Sequence, residues 1–199
     1  MPKQVDHEER RRRIAEAVCA LIDAQGLEGV SLRDVATRAE VSMGAVQRCF
    51  RTKEEMLLFA LGHVGERVTE RARGRLVGSP AQSAASTVGH VVGELALLRE
   101  EHRAEARIWL SFLAAAAVNP ALAAGLRNSY ADLEGLFTRL LAEASGAPDP
   151  EREARTLLAL ADGLTGHVLI GHRTTEEAEE LLHAHLAGLW GPTGAAAGR

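Results

Sequence analysis

Apolar side chains recur at helical intervals along most of this chain. Ile14, Val18, Leu21 and Ile22 share one face of a helix that should run from about Asp6 to Gln25, with Gly26 as its stop. Ser31, with Asp34 three residues on, opens a second helix through a weaker form of the capping box, and Ser42 can cap a short third. Thr52 with Glu55 is a full capping box for a fourth helix, which the apolar spacing carries to about Leu76. Further on, Ser79-Pro80, Asn119-Pro120 and Asp149-Pro150 each set a capping side chain before a proline suited to the first helical position. Thr175 precedes Glu176 and Glu177, acids that favour the positive end of a helix dipole. No alternating β-branched run bounded by hairpin signals interrupts this pattern. It predicts an all-α protein: a three-helix head over 1–51 and a body over 52–190, made of the connecting helix and about five more. A tail over 191–199 is too poor in bulky side chains to hold a fixed structure.

Composition agrees with helices, since aromatic residues are only 4% while alanine and leucine abound. The longest mostly apolar run, Ile108 to Val118, is too short to cross a bilayer. The start of the chain is charged from Asp6 to Arg13 with no apolar stretch before it, unlike a signal peptide. Cys19 and Cys49 fall within predicted helices, where a reduced packing role is expected. These features predict a cytoplasmic protein with no membrane partner.

The net charge of −4 is unevenly placed. Residues 1–76 carry 14 Lys+Arg against 12 Asp+Glu, and the remainder 9 against 15. The first part is therefore only mildly basic, too little to mark a nucleic-acid binder by charge alone. Its densest cation cluster, Arg10–Arg13, reads by default as a solvated helix face.

Placement says more than charge. A helix-turn-helix needs two short helices locked by small and apolar residues on their facing sides, and Val35, Ala36, Ala39, Val41, Val46 and Phe50 supply them. The third helix then exposes Met43, Gly44, Gln47 and Arg48, a mixture suited to a major groove. A plain helical hairpin would satisfy the same spacing.

The stretch "GLEGVSLRDVATRAEVSMGAVQRCFRTKEEML" resembles the DNA-binding head of the tetracycline-repressor (TetR) family of bacterial transcriptional regulators. The likeness runs from about Arg11 to Leu61 and rests on the order of "LRDVA", "VSMGAV", Phe50 and "TKEEML". It implies a homodimer that binds double-stranded operator DNA through its third helices and a small-molecule effector through its body, with no cofactor. Ser31 and Arg33 would then meet phosphates. Met43, Gly44, Gln47 and Arg48 would face the groove, with Ser42 beside them at the helix start. Lys53 would meet the backbone, and Arg10–Arg13 becomes a candidate further contact. Two positions depart from the family pattern. Glu40 stands where the turn usually has glycine, so a non-glycine has to tolerate a left-handed conformation. Gln47 replaces a central aromatic and can pair with an adenine edge instead.

The same resemblance assigns the dimer to the last two long helices, expected over about Pro150–Arg173 and Thr175–Trp190. Leu157, Ala161, Leu164 and Val168 form a stripe on the first; Ala178, Leu181, Leu182, His185 and Leu189 form one on the second. Gly163, Gly166 and Gly171 would let a partner helix approach, although both stripes could equally serve the chain's own core. For the effector, Trp109, Phe112 and Leu113 are the bulky residues of a central body helix. His90, Tyr130, Phe137 and His167 are placed on helices around it, each also a natural core residue. His63, His90, His167, His172, His183 and His185 have no spacing that gathers a metal on one helix face. No catalytic triad motif or phosphate-binding glycine loop follows from the sequence. The expected protein is a repressor that leaves a palindromic operator when a small molecule fills its body. The alternatives are an activator or co-repressor-dependent regulator of the same fold, and a small helical enzyme or carrier using the body pocket.

Overall fold

A computed structural model of the chain describes residues 2–78, 83–145 and 149–190. Its helices are α1 (Pro2–Gln25), α2 (Leu32–Arg38), α3 (Met43–Cys49), α4 (Lys53–Gly78), α5 (Ala84–Leu95), α6 (Arg103–Ala116), α7 (Pro120–Ser145), α8 (Pro150–Leu169) and α9 (Thr175–Trp190). One 3-10 turn, Glu100–His102, precedes α6, and no strand occurs among the described residues.

Most helix starts follow from the capping chemistry. Ser31 accepts the Asp34 N–H at 3.2 Å, Ser42 the Ala45 N–H at 3.1 Å, and Thr52 the Glu55 N–H at 3.0 Å. Asn119 accepts from Ala121 and Leu122, and Asp149 from Arg152, each ahead of its proline. Ser79-Pro80 lies outside the described residues, and α5 is opened by Ser83, whose hydroxyl and that of Ser86 cap each other's backbone. At α9 the cap is Thr174, one residue earlier than expected: it accepts the Glu177 N–H while Glu177 takes the Thr174 N–H. Thr175 instead donates its hydroxyl proton to the Leu98 carbonyl at 2.9 Å. Helix α8 stops at Leu169, short of Arg173, because Gly171 takes φ +71° and turns the chain. Gly171 is thus a turn residue and not a helix-packing position.

Glu40 does adopt the left-handed conformation, at φ 53°. Around it the Glu40 N–H reaches the Thr37 carbonyl and the Val41 N–H the Ala36 carbonyl, the paired bonds of a Schellman turn. A glycine there would avoid the Cβ clash, so Glu40→Gly should raise stability by about 1 kcal/mol. Urea unfolding of the variant checks this; an unchanged or lower midpoint contradicts it.

The helices pack into two units. The first comprises the described residues up to Val68 together with Glu101–Ser129. In it α1, α2 and α3 pack on one another and α6 packs on α1, around Ile14, Val18, Ile22, Val35, Val46, Met56 and Phe112. Two seven-residue helices are too small to cover the apolar face of a 24-residue helix, so α6 joins them. The second unit, Thr69–Glu100 and the described residues from Tyr130 on, joins α5, α8 and α9 around Val88, Val92, Phe137, Leu141, Leu157, Leu164 and Leu182. Packing thus groups residues differently from a linear division at residue 52.

Cys19 and Cys49 are buried free thiols. Burial pushes the Cys19 thiol up to about 11, so it stays protonated at neutral pH. No described helix is long and apolar enough to cross a membrane.

Candidate nucleic-acid interface

Helix α3 has one buried side and one open side. Ala45, Val46 and Cys49 are buried against α1 and α2. At 100° per residue this turns Met43, Gln47 and Arg48 outward, and all three are exposed. Met43 is 50% exposed, so a large apolar side chain lies on this open face. Gly44 shares this face: a Cβ there would lie 3.5 Å from an Arg48 Nη1, so packing within the chain does not demand glycine. The face is short, apolar at one end and polar at the other, fit to meet thymine methyls and base-edge hydrogen-bonding groups.

The flanking candidates differ in availability. Arg33 is exposed. Ser31 is already engaged, accepting the Asp34 N–H and donating its own proton to the Asp34 carboxylate at 2.6 Å. Ser42 is occupied as an acceptor but keeps a hydroxyl proton to donate. Lys53 is half-buried in the first turn of α4, where Glu55 takes the Arg51 N–H at 2.8 Å and fixes the entry to the helix. Within Arg10–Arg13, Arg10 pairs with Asp6 at 3.0 Å, Arg11 lies against Phe50 and Phe59, and Arg12 and Arg13 are exposed.

The effector candidates divide between the two units. Trp109, Phe112 and Leu113 belong to the first unit; His90, Tyr130, Phe137 and His167 belong to the second. Phe112 and Phe137 have no exposed surface and are core residues, since α6 turns its apolar face to α1 and α7 contributes to the core of the second unit. His167 is exposed at the end of α8, edge-on to His172 at 5.0 Å between ring centroids. Tyr130 remains half-buried and donates its phenolic proton to Asp162 on α8. Burial, then the bond to Asp162, push that phenol far above its ordinary value and keep it a donor.

Sequence reasoning missed Asp162 and the more deeply placed Glu94. Glu94 is 1% exposed and is ringed by Arg71 at 3.0 Å, Arg75, and Arg99 at 3.7 Å; Arg99 also approaches Glu179 at 3.6 Å. Just after it, Leu97 is held at φ 49° between two pinned carbonyls: Thr165 lies 2.7 Å from that of Ala96, and Thr175 bonds that of Leu98. The signal was present, because each acid interrupts an apolar run, "VVGELALL" and "LALADGL". A lone acid in such a run has to find a partner.

The expected dimer stripe divides between buried and more open positions. Leu157, Ala161, Leu164, Val168, Ala178 and Leu182 are buried in the second unit's own core, so these side chains have no surface left for a partner. They are the most continuous apolar stripe on α8 and α9, and α5 and α7 need that cover. His185 and Leu189 are half-buried. The outward sides carry Leu181 of the expected stripe (42% exposed) together with Gly163, Ile170 (77%), Ala184 and Gly188. Nothing lies within 4 Å of where a Cβ on Gly163 or Gly188 would sit.

Two family models match the chain. Residues 14–59 match that of bacterial regulatory proteins of the tetR family, and residues 84–191 that of the BetI-type transcriptional repressor C-terminal region. The HTH-type transcriptional regulator PksA of Bacillus subtilis (strain 168) is 35% identical over 178 residues, 85% of this chain and 83% of that protein. A crystal structure of a transcriptional regulator from Rhodococcus sp. Rha1 shares 30% identity with a TM-score of 0.78, covering 90% of this chain and 95% of that one. A regulator from Saccharomonospora viridis, crystallised in complex with choline, shares 23% identity with a TM-score of 0.77, covering 90% and 96%. At that identity the last comparison speaks for the fold alone.

Proposed function

The chain belongs to the tetR family of bacterial regulatory proteins and is a DNA-binding transcriptional regulator, and from that premise we propose that it is a homodimeric repressor released from a palindromic operator by a small molecule. The observation that carries the reading is the face of α3: Met43, Gln47 and Arg48 exposed, their opposite side buried, and the helix start capped by Ser42. A face so oriented on a buttressed helix can enter a major groove without rearrangement. The BetI-type match over residues 84–191 supports repression as the direction of control.

The proposed dimer uses the outward sides of α8 and α9, where Gly163, Ala184 and Gly188 allow close helix approach and Ile170 and Leu181 offer apolar area. The effector is placed in the body, with His90, Tyr130 and Asp162 as polar contacts; choline is the ligand of a relative in fold and is not carried over. Helix α4 runs unbroken from Lys53 to Gly78 and contributes to both units, so a small tilt can pass along it. A ligand that prefers the DNA-free arrangement a hundredfold couples the two sites by about 2.7 kcal/mol, and operator must weaken ligand binding by the same factor.

Footprinting on chromosomal fragments tests the reading. Two recognition helices about a two-fold axis should protect an inverted repeat with half-sites about 34–36 Å apart. A single asymmetric half-site at saturating protein counts against the dimer, and no protected site anywhere counts against the regulator. Within the site the roles of two residues should separate. Lys53→Ala should weaken binding to all sequences and lower the salt slope by about one phosphate contact. Gln47→Ala should cost about 1–3 kcal/mol at one base pair and relax preference there. Uniform losses with the same change in salt slope would refute the assignment.

A further inference from the structure

The guanidinium carbon of Arg11, on α1, lies 4.7 Å from the ring centroid of Phe50 and 4.3 Å from that of Phe59. The two rings stand 5.4 Å apart and are tilted by 55°, so one flat cation meets both. A Glu55 oxygen lies 4.0 Å away, and the other oxygen of that carboxylate takes the Arg51 N–H. The Arg11 Nε is buried without a hydrogen-bond acceptor, as expected of a guanidinium held mainly by ring faces. Phe50 is the C-cap of α3, Arg51 belongs to the link, and Glu55 and Phe59 lie on the first turns of α4, just after Lys53. One side chain of α1 therefore touches the end of the reading helix and the start of the helix that carries the proposed backbone contact.

We infer that Arg11 is a positioning residue for DNA binding: it sets α3 and the start of α4 in one arrangement and makes no phosphate contact of its own. The inference rests on the DNA-binding reading above. Its chemistry differs from that of Arg12 and Arg13, whose exposed side chains leave them open to solvent. A guanidinium held over two ring faces is poorly replaced by an ammonium, which is compact and more strongly hydrated. A single-point phosphate contact tolerates that exchange far better, because an ammonium also binds phosphate as a point charge.

The test uses the full-length protein and a duplex that the wild type enriches from a random-sequence pool, with affinity measured across a salt series. Failure of the wild type to enrich any duplex overturns the DNA-binding reading and this inference with it; the variants judge the inference alone. Arg11→Ala should lose about tenfold or more in affinity with the wild-type salt slope. Arg11→Lys should lose most of that affinity despite keeping the charge. Phe59→Leu, which keeps apolar bulk but removes a ring, should fall in the same direction, again at the wild-type slope. A slope reduced by about 0.9 in Arg11→Ala, with Arg11→Lys near wild type, would make Arg11 a phosphate contact and overturn the inference. Lower melting temperatures with unchanged affinity of the folded variants would make it a stabilising residue only, and overturn it equally. Should Arg11→Ala fail to fold, Arg11→Lys and Phe59→Leu decide by the same criteria.

Discussion

Glu94→Ala should lower the unfolding free energy by about 3 kcal/mol, one of the two largest effects expected of a single substitution here. Breaking a buried ion pair by removing one partner costs about 3–5 kcal/mol, because the remaining charges lose their compensation. Glu94 is buried, but the side chains of Arg71 and Arg75 keep 29% and 40% of their exposure, so water takes up part of the loss and the low end applies. The converse substitution should be milder. Arg71→Ala leaves Glu94 with Arg75 and Arg99, and the expected cost is about 1 kcal/mol. Urea unfolding of both variants checks the ranking, since a 3 kcal/mol loss moves the midpoint by about 1–3 M at ordinary slopes. Equal losses in the two variants, or a loss below about 1 kcal/mol for Glu94→Ala, would show that the arginines do not depend on this carboxylate.

The second large effect separates core from interface on α8 and α9. Leu157→Ala removes a fully buried side chain between α5, α7 and α9 and should cost about 2–5 kcal/mol. Leu181→Glu acts on an exposed position and should leave the unfolding of one chain within about 0.5 kcal/mol. It would place a charge in the proposed dimer face, so sedimentation should show monomers at concentrations where the wild type is dimeric. Operator affinity should then fall by about a hundredfold, because each half-site is held by one head without the gain from its twin. If Leu157→Ala dissociates a dimer while leaving unfolding unchanged, the buried stripe is the interface after all and the outward face is not.

These two substitutions also mark where sequence reasoning stopped. Helix starts at Ser31, Ser42, Thr52, Asn119 and Asp149 were legible because a cap and the amide it accepts lie two or three residues apart. The left-handed turn at Glu40 was legible through the family resemblance, which puts glycine at that position, and Glu40 takes φ 53° there. So was the open face of α3, because its partners α1 and α2 are the preceding helices and a seven-residue helix has only one side to bury.

Distant partners decided the rest. Periodicity shows that α8 has an apolar stripe, but it does not say what that stripe meets; in the folded chain Leu157 and Leu164 are buried in the core that α8 shares with α5 and α9. Phe112 is buried in the core of the first unit because α6 packs on α1, about ninety residues earlier. Glu94 and Asp162 appear in the sequence as isolated acids, and their partners Arg71 and Tyr130 lie 23 and 32 positions away. Local hydrogen bonds and helical period follow from neighbouring residues, so the sequence alone determined the all-α class and the open face of α3. The partner of an apolar face or of a buried charge is chosen by competition among all surfaces the chain can fold together, and only the tertiary structure shows which one was chosen.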